Sequence, residues 1–477
     1  MSSVPSYLCT TTGKEISTKI FLDLQLDSLL SPTAQKILSY PLDKEGIYMR
    51  QELFSAIYKE ENYLRVRETV LALKLYKKSF ELWELSNIPT EKTHLAIKLL
   101  RHYLKVCDAL IALSDLGTAA SMVADYFRED EQVSLRVKMA QSIKNASIIL
   151  NKADTYVLTY GERSQISKFA SPDTYLEHGA ELFAKLGLKT PDARKLNAKC
   201  HITLSDSVSE LFAGEYFRVN SMLRNYLAIN FRSLFPFIRE LDFYMEMRDF
   251  YRKLEKYNTA TCLPKIADSK KFKAKNLYDI SLSLKECYDI VPNDTWFEND
   301  RIFYFLTGAN GGGKTTYLRS LGINLILFLG GMPIFAESAE IYPFSAIYTH
   351  FPKDERFAST GRLHEEMQRT RAILDECDND AFILFNETYS GTDDKKGYEL
   401  LLETAEEIRK RGISGLYVTH FHEITDTSFP ILGVEVIPTD ENKRTFKITP
   451  KNDEKGSYAK DILRKYRLDE DSLKERS

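Results

Sequence analysis

The stretch "TGANGGGKTT" (307–316) follows the apolar run "RIFYFL" (301–306) and precedes the helical sequence "YLRSLGINLILFL" (317–329). Residues 308–315 fit the pattern G-x-x-x-x-G-K-[ST] without a gap. Glycines let the backbone turn with its amides inward, and they leave room for phosphate oxygens. The helix that follows would direct the positive end of its dipole at the same anion. The stretch therefore predicts a strand–loop–helix unit that binds ATP or GTP.

The residues of this loop have separate predicted tasks. Lys314 would reach the β- and γ-phosphates, and the Thr315 hydroxyl would bind Mg²⁺. The loop backbone would surround the phosphates. The predicted nucleotide-binding residues of the loop are Gly308, Ala309, Asn310, Gly311, Gly312, Gly313, Lys314, Thr315 and Thr316.

A second polar cluster ends the apolar run in "AFILFNETYSGTDD" (381–394). In many P-loop ATPases an acidic residue at this point holds the water shell of Mg²⁺, and a glutamate after it activates the attacking water. Glu387 is placed to be that base. Asn386 could accept a hydrogen bond from a metal-bound water without adding charge. Thr315, Asn386 and Glu387 are thus the predicted magnesium site; the alternative for Glu387 is an exposed carboxylate at a strand end.

A third strand, in "GLYVTHFHE" (415–423), ends at Thr419 and His420. A polar side chain at such a strand end can sense the γ-phosphate of a bound nucleotide. The alternative is a metal-binding pair formed by His420 and His422, for which the sequence offers no third ligand.

Composition restricts the class of protein. The net charge of −3 gives no overall positive field, so a contact with DNA has to come from a local patch or an enclosing shape. The six cysteines contain no CxxC pair, which argues against a zinc site or a disulfide framework and fits a reducing compartment. The N-terminus lacks the pattern of a signal peptide, and the apolar stretch 322–335 is too short for a membrane span. We expect a cytoplasmic protein without a membrane partner.

The chain divides into two halves with different periodicity. Residues 1–255 contain long helical patterns, such as 95–116 and 131–160, with few breakers, and predict an elongated helical domain or a plain helical bundle. Residues 256–477 alternate short β-prone runs with helices, which predicts an α/β domain. The basic run "KKFKAK" (270–275) is most typical of a solvated loop. The expected fold class is α + α/β.

The second half resembles the MutS family of DNA mismatch-repair ATPases, with matching motifs in the same order from about residue 262 to 470. The first half resembles the core and lever region of that family more loosely. The segments that carry the resemblance are "CLPKI" (262–266), "VPND" (291–294), "LTGANGGGKTTYLRSLG" (306–322), "MPIFAESAEIYPFSAIYTHF" (332–351), "ASTGRLHEEMQRTRAIL" (358–374), "FNETYSGTD" (385–393), "VTHFHEI" (418–424) and "KITPKNDEKGSYAKDIL" (447–463).

The resemblance implies a helical core and lever domain followed by a cassette-type P-loop domain. It makes His420 a catalytic residue beside Glu387, and it places Ser359 and Thr360 in the signature loop that completes the nucleotide site of a second subunit. It assigns the adenine contact to Ile290, where the family has an aromatic residue. Asn386 stands where the family has aspartate.

The implied function is an ATP- and Mg²⁺-dependent homodimer whose levers clamp branched, mismatched or non-specific DNA. Because the resemblance begins at the helical half, we expect the family's separate mismatch-recognition domain to be absent. Two other hypotheses remain open. The levers could grip a protein or ribonucleoprotein partner, or the neutral Asn386 could leave a protein that binds nucleotide with little hydrolysis.

Overall fold

The computed structural model describes residues 5–8, 14–153, 156–159, 165–168, 212–257, 260–284, 290–298, 302–352, 362–389, 393–436 and 444–451. The chain forms two compact units, one made of residues 1–7 and 56–245 and the other of residues 8–55 and 246–477. The predicted division at residue 255 differs from this partition mainly at residues 8–55. These residues belong to the unit that contains the nucleotide loop.

The described helices span most of the first unit and alternate with strands in the second. In chain order they are α1 (Thr18–Asp23), α2 (Pro32–Leu38), α3 (Lys44–Tyr58), α4 (Glu60–Leu85), α5 (Pro89–Ala112), α6 (Thr118–Arg128), α7 (Asp130–Ala153), α8 (Ala213–Leu223), α9 (Pro236–Leu254), α10 (Ile280–Leu284), α11 (Lys314–Leu329), α12 (Arg362–Glu376) and α13 (Asp394–Lys410).

The first unit is built on the pair of long helices α4 and α5. Val66, Val70, Leu73, Tyr76 and Phe80 recur at three- and four-residue spacing and form the buried face of α4. This confirms the predicted helical half. The helix predicted over 131–160 ends at Ala153, however, and a hairpin follows in which β1 (Tyr156–Thr159) pairs antiparallel with β2 (Gln165–Lys168). The aromatic and β-branched residues of "YVLT" favour a strand over further helix.

The second unit contains a six-stranded sheet in the order β12-β11-β6-β10-β9-β8. Five strands run parallel, and the edge strand β12 pairs antiparallel with β11. Strands β6, β10, β9 and β12 are the four predicted from the sequence. The strands of this sheet are β6 (Phe303–Thr307), β8 (Ile347–His350), β9 (Phe382–Asn386), β10 (Ser414–Val418), β11 (Ile431–Val436) and β12 (Arg444–Pro450).

A second, four-stranded sheet has the order β3-β7-β4-β5, with bounds Lys265–Ile266, Ser338–Ile341, Lys271–Leu277 and Asn293–Glu298. The basic run expected to form a loop lies in β4. Phe272 and Ala274 are buried while Lys273 and Lys275 are exposed, so the lysines occupy the solvent face of an alternating strand.

Helix α11, which follows the nucleotide loop, is buried on nearly all sides. A Cβ added to Gly322 in this helix would lie 2.6 Å from a methyl of Leu24 and 2.8 Å from a methyl of Leu384 on β9. The helix is therefore packed between the sheet and the segment that contains Leu24. Leu42 N donates to Leu329 O at 3.0 Å at the other end of the helix. These contacts explain why residues 8–55 join the second unit.

Among the described residues, no helix is both long and apolar enough to cross a membrane.

Candidate nucleotide-binding site

The candidate site lies where three parallel strands end at the same edge of the six-stranded sheet. Val418 on β10 is in register with Leu306 on β6 and with Asn386 on β9. The next residues continue this alignment, because Glu387 N donates to Val418 O at 2.9 Å and Thr419 N donates to Leu306 O at 3.0 Å. The three sequence motifs predicted to bind and hydrolyse nucleotide thus converge at one edge.

The loop after β6 has the backbone that the glycine pattern predicts. Gly308, Gly311 and Gly313 have φ values of 137°, 73° and 90°, in the region that side chains disfavour. Gly308 has a second constraint, because a Cβ there would lie 2.9 Å from a methyl of Val434 on β11. A Cβ at Gly312 would lie 3.0 Å from the same side chain. These two glycines are therefore required for packing against Val434, apart from the predicted role of the loop in binding phosphate.

Lys314 points back into the loop and is only 4% exposed. Its Nζ donates to Gly308 O at 2.7 Å, to Ala309 O at 3.2 Å and to Asn310 Oδ1 at 3.2 Å. The Nζ also lies 4.0 Å from Glu387 Oε1. The loop thus curves around a buried ammonium group, which is the group that would bind the β- and γ-phosphates.

The start of α11 fits an anion. Gly313 is the N-cap residue, so the first turn receives no hydrogen bond from a capping side chain. The first backbone N–H groups of a helix have no partner within the helix, and the helix dipole adds positive potential. Thr316 is half-buried in this turn. The turn therefore offers donors of the kind that phosphate oxygens accept.

Two predicted metal-binding residues lie together. Thr315 Oγ1 donates to Asn386 Oδ1 at 3.4 Å, and Asn386 is buried. A hydroxyl and an amide oxygen on adjacent elements suit a hard, oxygen-binding cation such as Mg²⁺. The carboxylate of Glu387 would add the charge that Asn386 lacks. The residues present fit a magnesium ion held mainly by phosphate oxygens and water.

Glu387 follows β9 in a strained conformation with φ of 49°. Its side chain is 33% exposed, so water can reach the carboxylate. Tyr389, two residues later, also has a positive φ of 64°. Two left-handed residues other than glycine in one short turn indicate a conformation imposed by surrounding contacts rather than by local preference.

One of those contacts comes from Glu366 on α12, which the sequence analysis did not assign to the site. Glu366 Oε2 accepts a hydrogen bond from Tyr389 N at 2.8 Å. Tyr389 OH lies 3.1 Å from Thr404 Oγ1 on α13. The turn after Glu387 is therefore held by two helices. Glu366 lies in "ASTGRLHEEMQRTRAIL" (358–374), one of the segments that carry the family resemblance, but that segment does not reveal its long-range partner.

A buried polar cluster supports the same helix. His350, on β8, places Nε2 3.3 Å from Glu366 O, and its ring packs edge-on against Phe385 at 5.7 Å. Arg369 lies beside it and donates to Asp23 Oδ2 at 3.2 Å and to Phe351 O at 2.8 Å. Burial, and then the positive charge of Arg369, lower the pKa of His350 to about 3. His350 is thus a neutral structural histidine.

The third predicted motif supplies Thr419 and His420. Thr419 Oγ1 accepts a hydrogen bond from Phe421 N at 3.1 Å, which fixes the turn after β10. The ring of His420 lies 4.3 Å from that of Phe421. Burial, and then Lys451, lower the pKa of His422. Among the described residues, no group of three or more histidine, cysteine or acidic side chains could hold a metal ion by itself.

An aromatic side chain borders the loop on the side of β12. A Cβ at Gly313 would lie 3.4 Å from the ring of Phe446, and Phe446 is 43% exposed as a residue. Phe446 has φ of 56° and sits where the pairing of β11 with β12 shifts register. Asn293 fixes this bulge, because its Nδ2 donates to Phe446 O at 3.1 Å and its Oδ1 accepts from Ile448 N at 2.7 Å.

Ile290, the predicted base contact, is half-buried three residues before Asn293. Asn293 also anchors the bulge of β12 that contains Phe446. Phe446 is therefore a second candidate for the contact with the nucleotide base. Ser359 and Thr360, the predicted signature residues, lie outside the described residues.

Residues 304–458 match the family described as MutS domain V. Curated relatives are named Endonuclease MutS2. The protein of Streptococcus suis (strain 05ZYH33) is 27% identical over 238 residues, which cover 49% of this chain and 30% of the relative. That of Streptococcus uberis is 31% identical over 180 residues, or 37% of this chain and 22% of the relative. That of Lactococcus lactis subsp. cremoris is 31% identical over 180 residues, which cover 37% of this chain and 23% of the relative. The matched region spans less than a third of each of these relatives.

The buried His350 predicts a specific dependence of stability on pH. In the unfolded chain its pKa returns to the ordinary 6.5, so between pH 6.5 and about 3 the unfolded chain binds a proton that the folded chain excludes. The contribution to stability is present above pH 6.5 and is lost as the pH falls, at about 1.4 kcal/mol per pH unit. Denaturant unfolding of His350→Phe from pH 7 to 4 should show a correspondingly smaller slope than the parent.

The matched control is His364→Gln, because His364 is exposed on α12. It should keep the slope of the parent. Equal slopes for the parent and His350→Phe would contradict the assignment of His350 as a buried neutral group.

Proposed function

The chain is a member of the MutS family through its domain V, and we propose that it binds ATP with Mg²⁺ and hydrolyses it. Members of this family are ATPases. The observation that carries the proposal for this chain is the convergence of Lys314, Asn386, Glu387 and Thr419 at one sheet edge. The relatives are named endonucleases, but the family match covers residues 304–458, which hold this edge. We therefore extend the ATPase activity, and not cleavage, to this chain.

In the proposed complex, Lys314 and the backbone amides of residues 308–316 bind the phosphates. Thr315, Asn386 and Glu387 hold Mg²⁺ directly or through water. Bound Mg²⁺ neutralises charge on the β- and γ-phosphates. A neutral amide at position 386 gives the metal less charge than a carboxylate would, so we expect slow turnover.

Glu387 is the proposed general base. Its partly exposed carboxylate lies 4.0 Å from the lysine that would bind the γ-phosphate, so a water between the carboxylate and the phosphate is within reach of both. The strained backbone and the anchor from Glu366 would fix the direction of that carboxylate. His420, at the end of the neighbouring strand, would sense the γ-phosphate and report its loss.

The base of the nucleotide is proposed to lie between the loop and the segment with Ile290 and Phe446. An exposed aromatic ring next to the last glycine of the loop offers a surface for stacking. Phe446 supplies the aromatic contact that Ile290 cannot.

The active unit is proposed to be a homodimer. One phosphate loop and one signature segment per chain complete a nucleotide site when the signature of one copy, at Ser359 and Thr360, faces the loop of the other. ATP would favour the closed pair and hydrolysis would loosen it.

We further propose that the helical unit contacts DNA, with branched, mismatched or non-specific duplex DNA as the substrate class. The net charge of −3 requires that backbone contacts come from a local surface or an enclosing shape. The same near-neutral charge supports the second candidate function, a nucleotide-switched scaffold that grips a protein or ribonucleoprotein.

Nucleotide binding should separate the phosphate contact from the base contact. Lys314→Ala should weaken binding of both ATP and inorganic tripolyphosphate by about 100-fold, because a charged hydrogen-bond donor is lost. Phe446→Ala should weaken ATP by about tenfold and leave tripolyphosphate unchanged, while Phe446→Tyr keeps both. Calorimetry with Lys395→Ala, an exposed lysine on α13, provides the control. If Phe446→Ala weakens both ligands equally, Phe446 acts through the loop and not on the base.

Hydrolysis should depend on both copies. Glu387→Gln should still bind ATP, because Lys314 and the loop amides hold the phosphates, and should lose at least about 100-fold in turnover, as for a missing general base. The exposed Glu399→Gln should resemble the parent. A Lys314→Ala chain and a Ser359→Ala/Thr360→Ala chain should each be inactive and should regain phosphate release when mixed. Absence of turnover in the parent would support the reading as a nucleotide-binding protein with little hydrolysis.

DNA binding should respond to the nucleotide. We expect the Glu387→Gln protein to bind duplex, mismatched or junction DNA with at least about tenfold different affinity with and without ATP, and with a steep salt dependence. Lys314→Ala should show no such response to ATP. Failure to bind any of the three DNA structures, together with turnover that DNA does not stimulate, would count against the DNA hypothesis and favour the scaffold.

A further inference from the structure

Helix α4 exposes a row of leucines on the side opposite its buried face. Leu64, Leu71, Leu75, Leu82 and Leu85 are between 42% and 76% exposed. Isolated exposed leucines are ordinary, but five on one face of one helix form an apolar row that calls for an explanation. The helix is 26 residues long and thus offers a surface of about 39 Å.

The row follows the spacing of a coiled-coil seam. Starting at Leu64, steps of four and three residues give positions 64, 68, 71, 75, 78, 82 and 85. Leucine occupies five of these positions, and Glu68 and Lys78 occupy the other two. The buried face, at Val66, Val70 and Leu73, has the same periodicity but packs inside the unit. One face of α4 therefore builds the unit, and the other has the pattern of a helix that pairs.

A groove lies at the middle of the leucine row. It has a volume of about 290 Å³ and is lined by Glu68, Leu71, Ala72, Leu75, His102 and Lys105. Its walls come from α4 and from the neighbouring α5. A groove of this size next to Leu71 and Leu75 can receive leucine side chains from a second helix, as a hole receives a knob.

We propose that α4 pairs in antiparallel orientation with α4 of a second copy of the chain. A two-fold axis at the level of residue 73 along the helix, on the exposed face, brings Leu64 to the partner's Leu82 and Leu71 to the partner's Leu75. The same axis brings Glu68 to the partner's Lys78. Both interruptions of the leucine row thus meet an opposite charge, twice per dimer by symmetry.

This self-complementarity identifies the partner of α4 as a second copy of the same helix in antiparallel orientation. In a parallel pair each residue of the seam meets its own copy, so Glu68 would lie against the partner's Glu68 and Lys78 against the partner's Lys78. Like charges opposed in this way are unfavourable. Lys74, beside the seam, is 3.0 Å from Asp242 of its own chain, which compensates its charge. The antiparallel second copy pairs the two charges of the seam with opposite charges, whereas the parallel one opposes like charges.

The proposal does not rest on the nucleotide-dependent dimer. The two interfaces use different residues, and pairing through α4 needs no ATP. Measurements in the Lys314→Ala background without nucleotide therefore report on α4, and failure there leaves the ATPase proposal intact.

The test exchanges the two charges of the seam. Sedimentation equilibrium should give a dimer for the Lys314→Ala parent. Glu68→Lys and Lys78→Glu should each raise the dimer dissociation constant by about tenfold, because two attractive pairs become repulsive. The double variant Glu68→Lys/Lys78→Glu should restore the dimer of the parent. An equimolar mixture of the two single variants should form a heterodimer.

A second pair of variants controls for folding. Leu71→Asn/Leu75→Asn should give a monomer with an unchanged circular dichroism spectrum, because both leucines are exposed. Val137→Asn, at a residue 65% exposed on α7 of the same unit, should remain dimeric. A parent that is monomeric at every concentration would overturn the proposal. A double charge swap that fails to restore pairing would overturn the antiparallel register.

Discussion

The parallel pairing of β10 with both β6 and β9 is the constraint on which the site depends. Because Val418 is in register with Leu306 and Asn386 at once, the phosphate loop, Glu387 and Thr419 begin at the same height on one sheet edge. A slip by one strand residue would turn every side chain to the opposite face. The register is protected by its surroundings, since all three strands are buried along their whole length. The placement of the candidate site therefore depends on an apolar core that contains none of the predicted site residues.

Helices on both faces of the sheet hold the site in place, and some of the residues that contact these helices are distant in sequence. The buried α11 carries Lys314 and packs Gly322 against Leu24, so a segment nearly 300 residues earlier in the chain supports the nucleotide loop. Helix α12 restrains the turn after Glu387 through Glu366. These contacts explain how strained residues persist beside an exposed carboxylate. The energy of left-handed backbone at Glu387 and Tyr389 is offset by hydrogen bonds and burial elsewhere.

The sequence predicted those parts of the site that local chemistry determines. The loop at residues 308–315 could be predicted without the structure, because its glycines and its lysine stand at the fixed spacing of a phosphate-binding loop. The four strands that carry the motifs were also predicted, since apolar β-prone runs are short and well bounded. The sequence did not predict that residues 8–55 belong to the second unit, because the contact between Leu24 and Gly322 arises only from the fold. Phe446 looked like an ordinary strand residue, and its left-handed conformation arises from a register shift and from Asn293, far away in sequence.

The environment of Lys314 has a consequence for ligand selectivity. Its ammonium group already has three oxygen partners within the loop, so an incoming phosphate has to replace acceptors that the protein supplies. The affinity of the loop is therefore a difference between two sets of contacts. Carbonyl oxygens are neutral, whereas a triphosphate brings several negative charges, and charge-assisted hydrogen bonds are stronger than neutral ones. Under the proposed function, weakly charged metabolites would lose this exchange even when their shape fits. The contacts of Lys314 would therefore favour polyanions over weakly charged ligands.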